Sequence, residues 1–173
     1  MEKQTSFDEV FKLMEAAFPV TEIRTYEGQR GLLTHPNYRL HVNRDESGDI
    51  RGFLASWNFS AFRFVEHIAV NAAIRGGGIG KQMLTDYINS GTTPVVLEVE
   101  PPDTHDAQRR IEFYRRCGFH LNLFPYEQPP LRDGQPHLPL HIMSYPNPLT
   151  ENEFVPFKNI LLTEVYGQSV GSV

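Results

Sequence analysis

A single cysteine, Cys117, stands in the whole chain, so neither an intrachain disulfide nor a cysteine zinc site can be built. Long apolar runs are also missing. The amino terminus MEKQTSFDEV has no hydrophobic signal-peptide core, and no stretch is apolar for long enough to cross a bilayer. Basic runs are absent too: 16 Lys and Arg stand against 21 Asp and Glu, for a net charge of -5, which argues against a nucleic-acid surface. There is no internal repeat and no low-complexity segment, and prolines crowd only the region 125–148. These absences predict a soluble cytoplasmic protein with neither membrane nor nucleic acid as partner, and no metal.

What is present suits one globular domain: 173 residues, 40% hydrophobic and 12% aromatic. Its organising stretch is 62–91, FRFVEHIAVNAAIRGGGIGKQMLTDYINSG. Val65, His67 and Ala69 alternate with Glu66, Ile68 and Val70, which predicts a strand. Ile79, Met83, Leu84, Tyr87 and Ile88 then recur at helical spacing, with Gly91 as the expected C-cap. Between them lies Arg75-Gly76-Gly77-Gly78-Ile79-Gly80. Glycines leave main-chain amides uncovered, and the first helical turn adds orphan donors at a positive dipole end, so strand, turn and helix together make an anion cradle. A Walker A loop does not fit, because Arg75 stands at its first glycine and Gln82 where it needs Ser or Thr. A dinucleotide fingerprint fails at Lys81, where its third glycine belongs.

The pattern that does fit, Arg/Gln-x-x-Gly-x-Gly/Ala after a strand ending Ile68-Ala69-Val70, resembles that of the GCN5-related N-acetyltransferases, the GNAT family. A second signature lies in Phe113-Tyr114-Arg115-Arg116-Cys117-Gly118-Phe119. The resemblance covers about 38–145. It implies an α/β (α+β) fold with a central mixed, mostly antiparallel sheet flanked by helices, and acetyl-CoA as co-substrate. It also implies that Ile68, Ala69, Val70, Arg75, Gly76, Gly77, Gly78, Ile79, Gly80 and Lys81 bind the pantetheine and pyrophosphate. One departure is visible: the asparagine often found seven residues before the tyrosine is Ala107 here.

Elsewhere, Ser6-Phe7-Asp8-Glu9 reads as a capping box for a first helix reaching Pro19, with too few residues before it for the family's opening strand. Thr21 is the expected cap of a short second helix. Arg24, Tyr26 and Arg30 fall where the family builds one wall of its acceptor pocket. Tyr38–Val42 and Ile50–Phe59 predict an antiparallel hairpin around Asp45–Asp49. Pro94–Glu100 predicts a buried strand with Val96, Glu98 and Glu100 on one face, Asp106 a cap for the next helix, and 119–125 and 137–145 the last two strands. Thr150 to Glu153 is a second capping box. It starts a helix over about 150–167, outside the usual core, that either packs on the domain's flank or serves a homodimer contact.

Acetyl transfer from a thioester to an amine requires a base, a donor for the carbonyl oxygen and a proton for the leaving thiolate. The resemblance puts Glu98 or Glu66 in the first role, with Glu98 slightly preferred, the Ile68 N–H in the second and Tyr114 in the third. His67, on the face opposite Glu66, and the loop residue His105 rank lower. The reading is an N-acetyltransferase acting on a primary amine of a small molecule or peptide. The alternatives are an inactive CoA-binding or regulatory module and, more weakly, a nucleotide-phosphate binder.

Overall fold

The computed structural model describes residues 2–74 and 76–168. Six strands form a mixed sheet flanked by helices, and the chain divides into two compact units, one comprising residues up to Asn58 with Val65–Thr92, the other Phe59–Phe64 with Thr93 onward.

In the first unit, helix α1 (Glu2–Ala17) buries Phe7, Val10, Phe11 and Met14 along one stripe. It begins four residues before the expected cap. Ser6 is therefore internal, and its hydroxyl accepts from Arg44 at 3.0 Å instead of closing a capping box. Helix α2 (Tyr26–Gly31) is capped by Thr25, whose Oγ1 accepts from the Gly28 amide, and not by Thr21, which lies in a 3-10 turn at Val20–Glu22. Tyr26 ties the two helices together, with its ring 5.3 Å from those of Phe7 and Phe11 and its hydroxyl donating to Asp8 at 2.5 Å.

Strands β1 (Tyr38–Arg44) and β2 (Ile50–Asn58) pair antiparallel from Tyr38↔Trp57 to Arg44↔Ile50. The predicted turn closes through Asp45, whose carboxylate accepts from the Ser47 and Asp49 amides. The alternation expected in β2 gives way to continuous burial from Gly52 to Trp57, as in a strand covered on both faces. Gly52 has a specific reason to be glycine: a Cβ there would stand 2.7 Å from the Ala69 carbonyl oxygen and 2.9 Å from the Met83 side chain. β3 (Arg63–Val70) keeps its alternation, with Val65, His67 and Ala69 buried. Helix α3 (Ile79–Asn89) buries Leu84, Tyr87 and Ile88 and ends at Ser90, whose amide and hydroxyl both donate to the Tyr87 carbonyl; Gly91 is not needed as a cap.

In the second unit, β4 (Val95–Val99), β5 (His120–Asn122) and β8 (His141–Tyr145) run in the order β4-β8-β5, both pairings antiparallel. The last strands are shorter than the sequence predicts. β6 (Glu127–Gln128) and β7 (Leu138–Pro139) instead form a separate two-residue pairing, consistent with a proline that has no amide for a longer ladder. Helix α4 (His105–Arg116) is capped by Thr104, which accepts from Ala107 at 3.1 Å, so Asp106 belongs to its first turn. His105 opens this helix. Helix α5 (Glu151–Ile160) shows the full predicted Thr150/Glu153 capping box and runs on into a π-helical turn over Leu161–Val165.

Candidate functional site

The strand, glycine turn and helix predicted from 62–91 all form. Gly76 and Gly78 hold φ of 95° and 74°, where a side chain costs about 1–2 kcal/mol. A Cβ on either would meet nothing within 4 Å, so the turn faces open space. Gly78 precedes α3, and the Gln82 amide returns to the Gly78 carbonyl at 3.0 Å. The amides of Ile79, Gly80 and Lys81 therefore belong to the first turn, which has no intrahelical acceptors. Gly76, Gly77, Gly78 and Lys81 are exposed, and Ile79 and Gly80 half-buried. The arrangement fits a diphosphate: uncovered amides, a positive helix end and a cation alongside. Arg75 lies outside the described residues.

On β3, Ile68 and Val70 are half-buried and Ala69 is buried. The Glu66 side chain is only 3% exposed while the residue as a whole is half-buried, so its accessible part is main chain.

The Glu66 side chain is enclosed. Arg24 donates to Oε2 at 2.9 Å and Trp57 Nε1 to Oε1 at 2.9 Å. Burial pushes this carboxyl's pKa up, but the Arg24 guanidinium, His67 and the two hydrogen bonds outweigh burial and hold it below the usual carboxylate value. Arg24 itself is buried and also bonds Gln29 Oε1 through its amide and Nη1. Of the three residues expected to line an acceptor wall, Arg24 therefore points inward, Tyr26 holds Asp8, and Arg30 is exposed. His67 donates from Nε2 to the Glu22 carbonyl at 2.7 Å and packs edge-on to Phe18. Burial lowers its pKa, against the opposing pull of Glu66.

In the second unit, Glu98 on β4 is half-buried, and each carboxylate oxygen accepts a phenol: Tyr126 on Oε2 and Tyr166 on Oε1, both at 2.5 Å. Neither tyrosine was singled out by sequence reasoning, and no local signal marks them, since they lie 28 and 68 residues away. Tyr114 falls on the buried stripe of α4 with Ala107 and Ile111, its ring 5.3 Å from Phe113 and 6.0 Å from Phe119. Among the described residues no cluster of three or more His, Cys, Asp or Glu is placed to hold a metal, and no helix is long and apolar enough to cross a membrane.

Residues 36–121 match the family model of the acetyltransferase (GNAT) domain. A solved structure from Bacteroides thetaiotaomicron assigned to the GNAT acetyltransferases is 34% identical, covering 97% of this chain and 96% of its own, with a TM-score of 0.88. More distant structures share the fold. A spermidine N-acetyltransferase chimera from Vibrio cholerae superposes with a TM-score of 0.61 at 12% identity, over 81% of this chain and 89% of that one. A Bacillus subtilis acetyltransferase in complex with CoA gives 0.56 at 16% identity, over 79% and 90%. No protein among the curated sequences matches. The glycine turn, the fold and the full-length similarity together place the chain in the GNAT family, as an acetyl-CoA-dependent acetyltransferase.

Proposed function

We propose that the protein transfers an acetyl group from acetyl-CoA directly to a primary amine of a small molecule or peptide, with Glu98 as general base and Tyr114 as proton donor. The observation that carries the choice of base is the contrast between the two glutamates. Glu66 is sealed in an ion pair and held ionised, so proton uptake there would strand the Arg24 charge. Glu98 is half-buried and accepts from two neutral phenols, Tyr126 and Tyr166, so a change of charge on its carboxylate strands no charge on either of them.

The cofactor supplies an acetyl thioester. Main-chain amides of Gly76–Lys81 would bind its diphosphate, and the main chain of β3 around Ile68 to Val70 would align the pantetheine arm, with the Ile68 N–H polarising the carbonyl. Tyr114 would give its phenolic proton to the departing sulfur.

A thiol-release assay with acetyl-CoA across polyamines, amino acids, aminoglycosides and peptide N-termini tests the reading, with intact mass of the product locating the transferred group. In the best acceptor, Glu98→Gln and Tyr114→Phe are expected to lower kcat about a hundredfold or more while calorimetric CoA affinity stays at the wild-type value. Wild-type turnover in both would leave these residues out of the reaction. CoA binding with no transfer to any amine would favour a binding module.

A further inference from the structure

We infer that Tyr166 is a positioning residue for Glu98, delivered to it by the π-helical turn in the C-terminal helix; the inference rests on the reading of Glu98 as the base. An α-helix continued past Ile160 would return each amide to the carbonyl four residues back. Here the Tyr166 amide returns to the Leu161 carbonyl, five residues back, at 3.0 Å. Each such extra residue turns everything downstream by about 100° relative to the helix before it. The turn is specified locally. Inside it, the Thr163 hydroxyl donates back to the Asn159 and Ile160 carbonyls at 3.0 and 3.2 Å.

Leu161 and Val165, both buried, already seat the turn. Tyr166, at its end, is half-buried, and its hydroxyl reaches Glu98 Oε1. A half-buried carboxylate can be satisfied by water, so burial alone does not call for two phenols. What they provide is orientation. Tyr126 is fixed by its own burial and by the Phe154 ring 5.7 Å away, and pins Oε2; Tyr166 pins Oε1 and removes the remaining rotation of the carboxylate. A base held in one rotamer is what proton abstraction from a positioned amine needs.

The test is a kinetic cycle on the full chain with the best acceptor amine, measuring kcat, KM for acetyl-CoA and melting temperature. Tyr166→Phe is expected to lower kcat about tenfold, the loss of one charge-assisted hydrogen bond, with KM for acetyl-CoA and melting temperature unchanged. In a Glu98→Gln background the same substitution should have no further effect, because Tyr166 acts only through that carboxylate. Deleting Thr163, which removes the extra residue of the turn, should reproduce the Tyr166→Phe loss. Wild-type kcat in Tyr166→Phe, or losses that multiply in the double variant, would overturn the inference while leaving Glu98 as base. Wild-type kcat in Glu98→Gln would instead remove the base itself, and the inference with it.

Discussion

At the scale of single residues, the two glutamates between which the sequence only slightly preferred Glu98 differ in their partners. Glu66 belongs to a buried network with Arg24, Trp57 and Gln29, and breaking a buried pair by removing one member typically costs about 3–5 kcal/mol. Glu66→Gln is therefore expected to lower the urea midpoint in proportion, and Arg24→Met likewise, with the double variant losing less than the sum. A base would behave differently, losing turnover at an unchanged midpoint. The same neighbourhood sets a pH dependence. The folded pKa of His67 is lowered, so the unfolded chain binds more protons there, and stability falls as pH drops below its ordinary 6.5. His41, lowered by burial and by Arg39, adds in the same direction. Glu66 follows at lower pH: its stabilisation is present above the ordinary 4.5 and is lost as pH falls through its depressed folded value. Urea midpoints between pH 7 and 5 should decline in the wild type and decline less in His67→Gln, where the buried titrating ring is gone.

At the scale of elements, the glycine turn was the most legible feature of the chain, because its chemistry is local. Strand alternation to Val70, glycines of either hand and a helical stripe from Ile79 each follow from a few neighbouring residues. Gly78 carries the clearest test. At φ 74° with open space around it, a β-branched side chain is opposed by the backbone conformation and not by crowding. Gly78→Val should weaken CoA binding about tenfold or more in calorimetry as the first-turn amides shift, with only a small fall in melting temperature. Gly52→Val is the contrast, because its Cβ meets the Ala69 carbonyl of the next strand at 2.7 Å, so stability should fall first. Helix starts were less legible. Ser6, Thr21 and Asp106 all have capping chemistry, yet Ser6 is engaged by Arg44 and the caps fall to Thr25 and Thr104. Several hydroxyls and carboxylates compete within a few residues, and tertiary partners decide among them.

At the scale of the whole molecule, what the sequence could not reveal are the contacts made across long stretches of chain. Glu98 and Tyr166 are 68 positions apart, and neither periodicity nor a short motif reports on such a pair. The C-terminal helix illustrates the same limit: its capping box was legible, but not whether its apolar face turns to its own unit or to another copy of the chain. Phe154 answers this, being 1% exposed, with its ring 5.1 Å from that of Phe124 and 5.7 Å from that of Tyr126. Phe157 stacks on Phe62 at 4.4 Å. The helix is thus part of the core of the second unit, and it supports one of the two phenols on Glu98 from behind. Phe154→Ala should cost about 3–5 kcal/mol, a large share of the 5–15 kcal/mol that holds a typical domain. Activity should fall in step with the folded fraction and, through Tyr126, somewhat beyond it. Val155, 42% exposed on the other face of the helix, is the control: Val155→Ser should shift the urea midpoint by less than about 0.5 kcal/mol. Equal losses at the two positions would mean that the apolar face is not packed inside the unit as described.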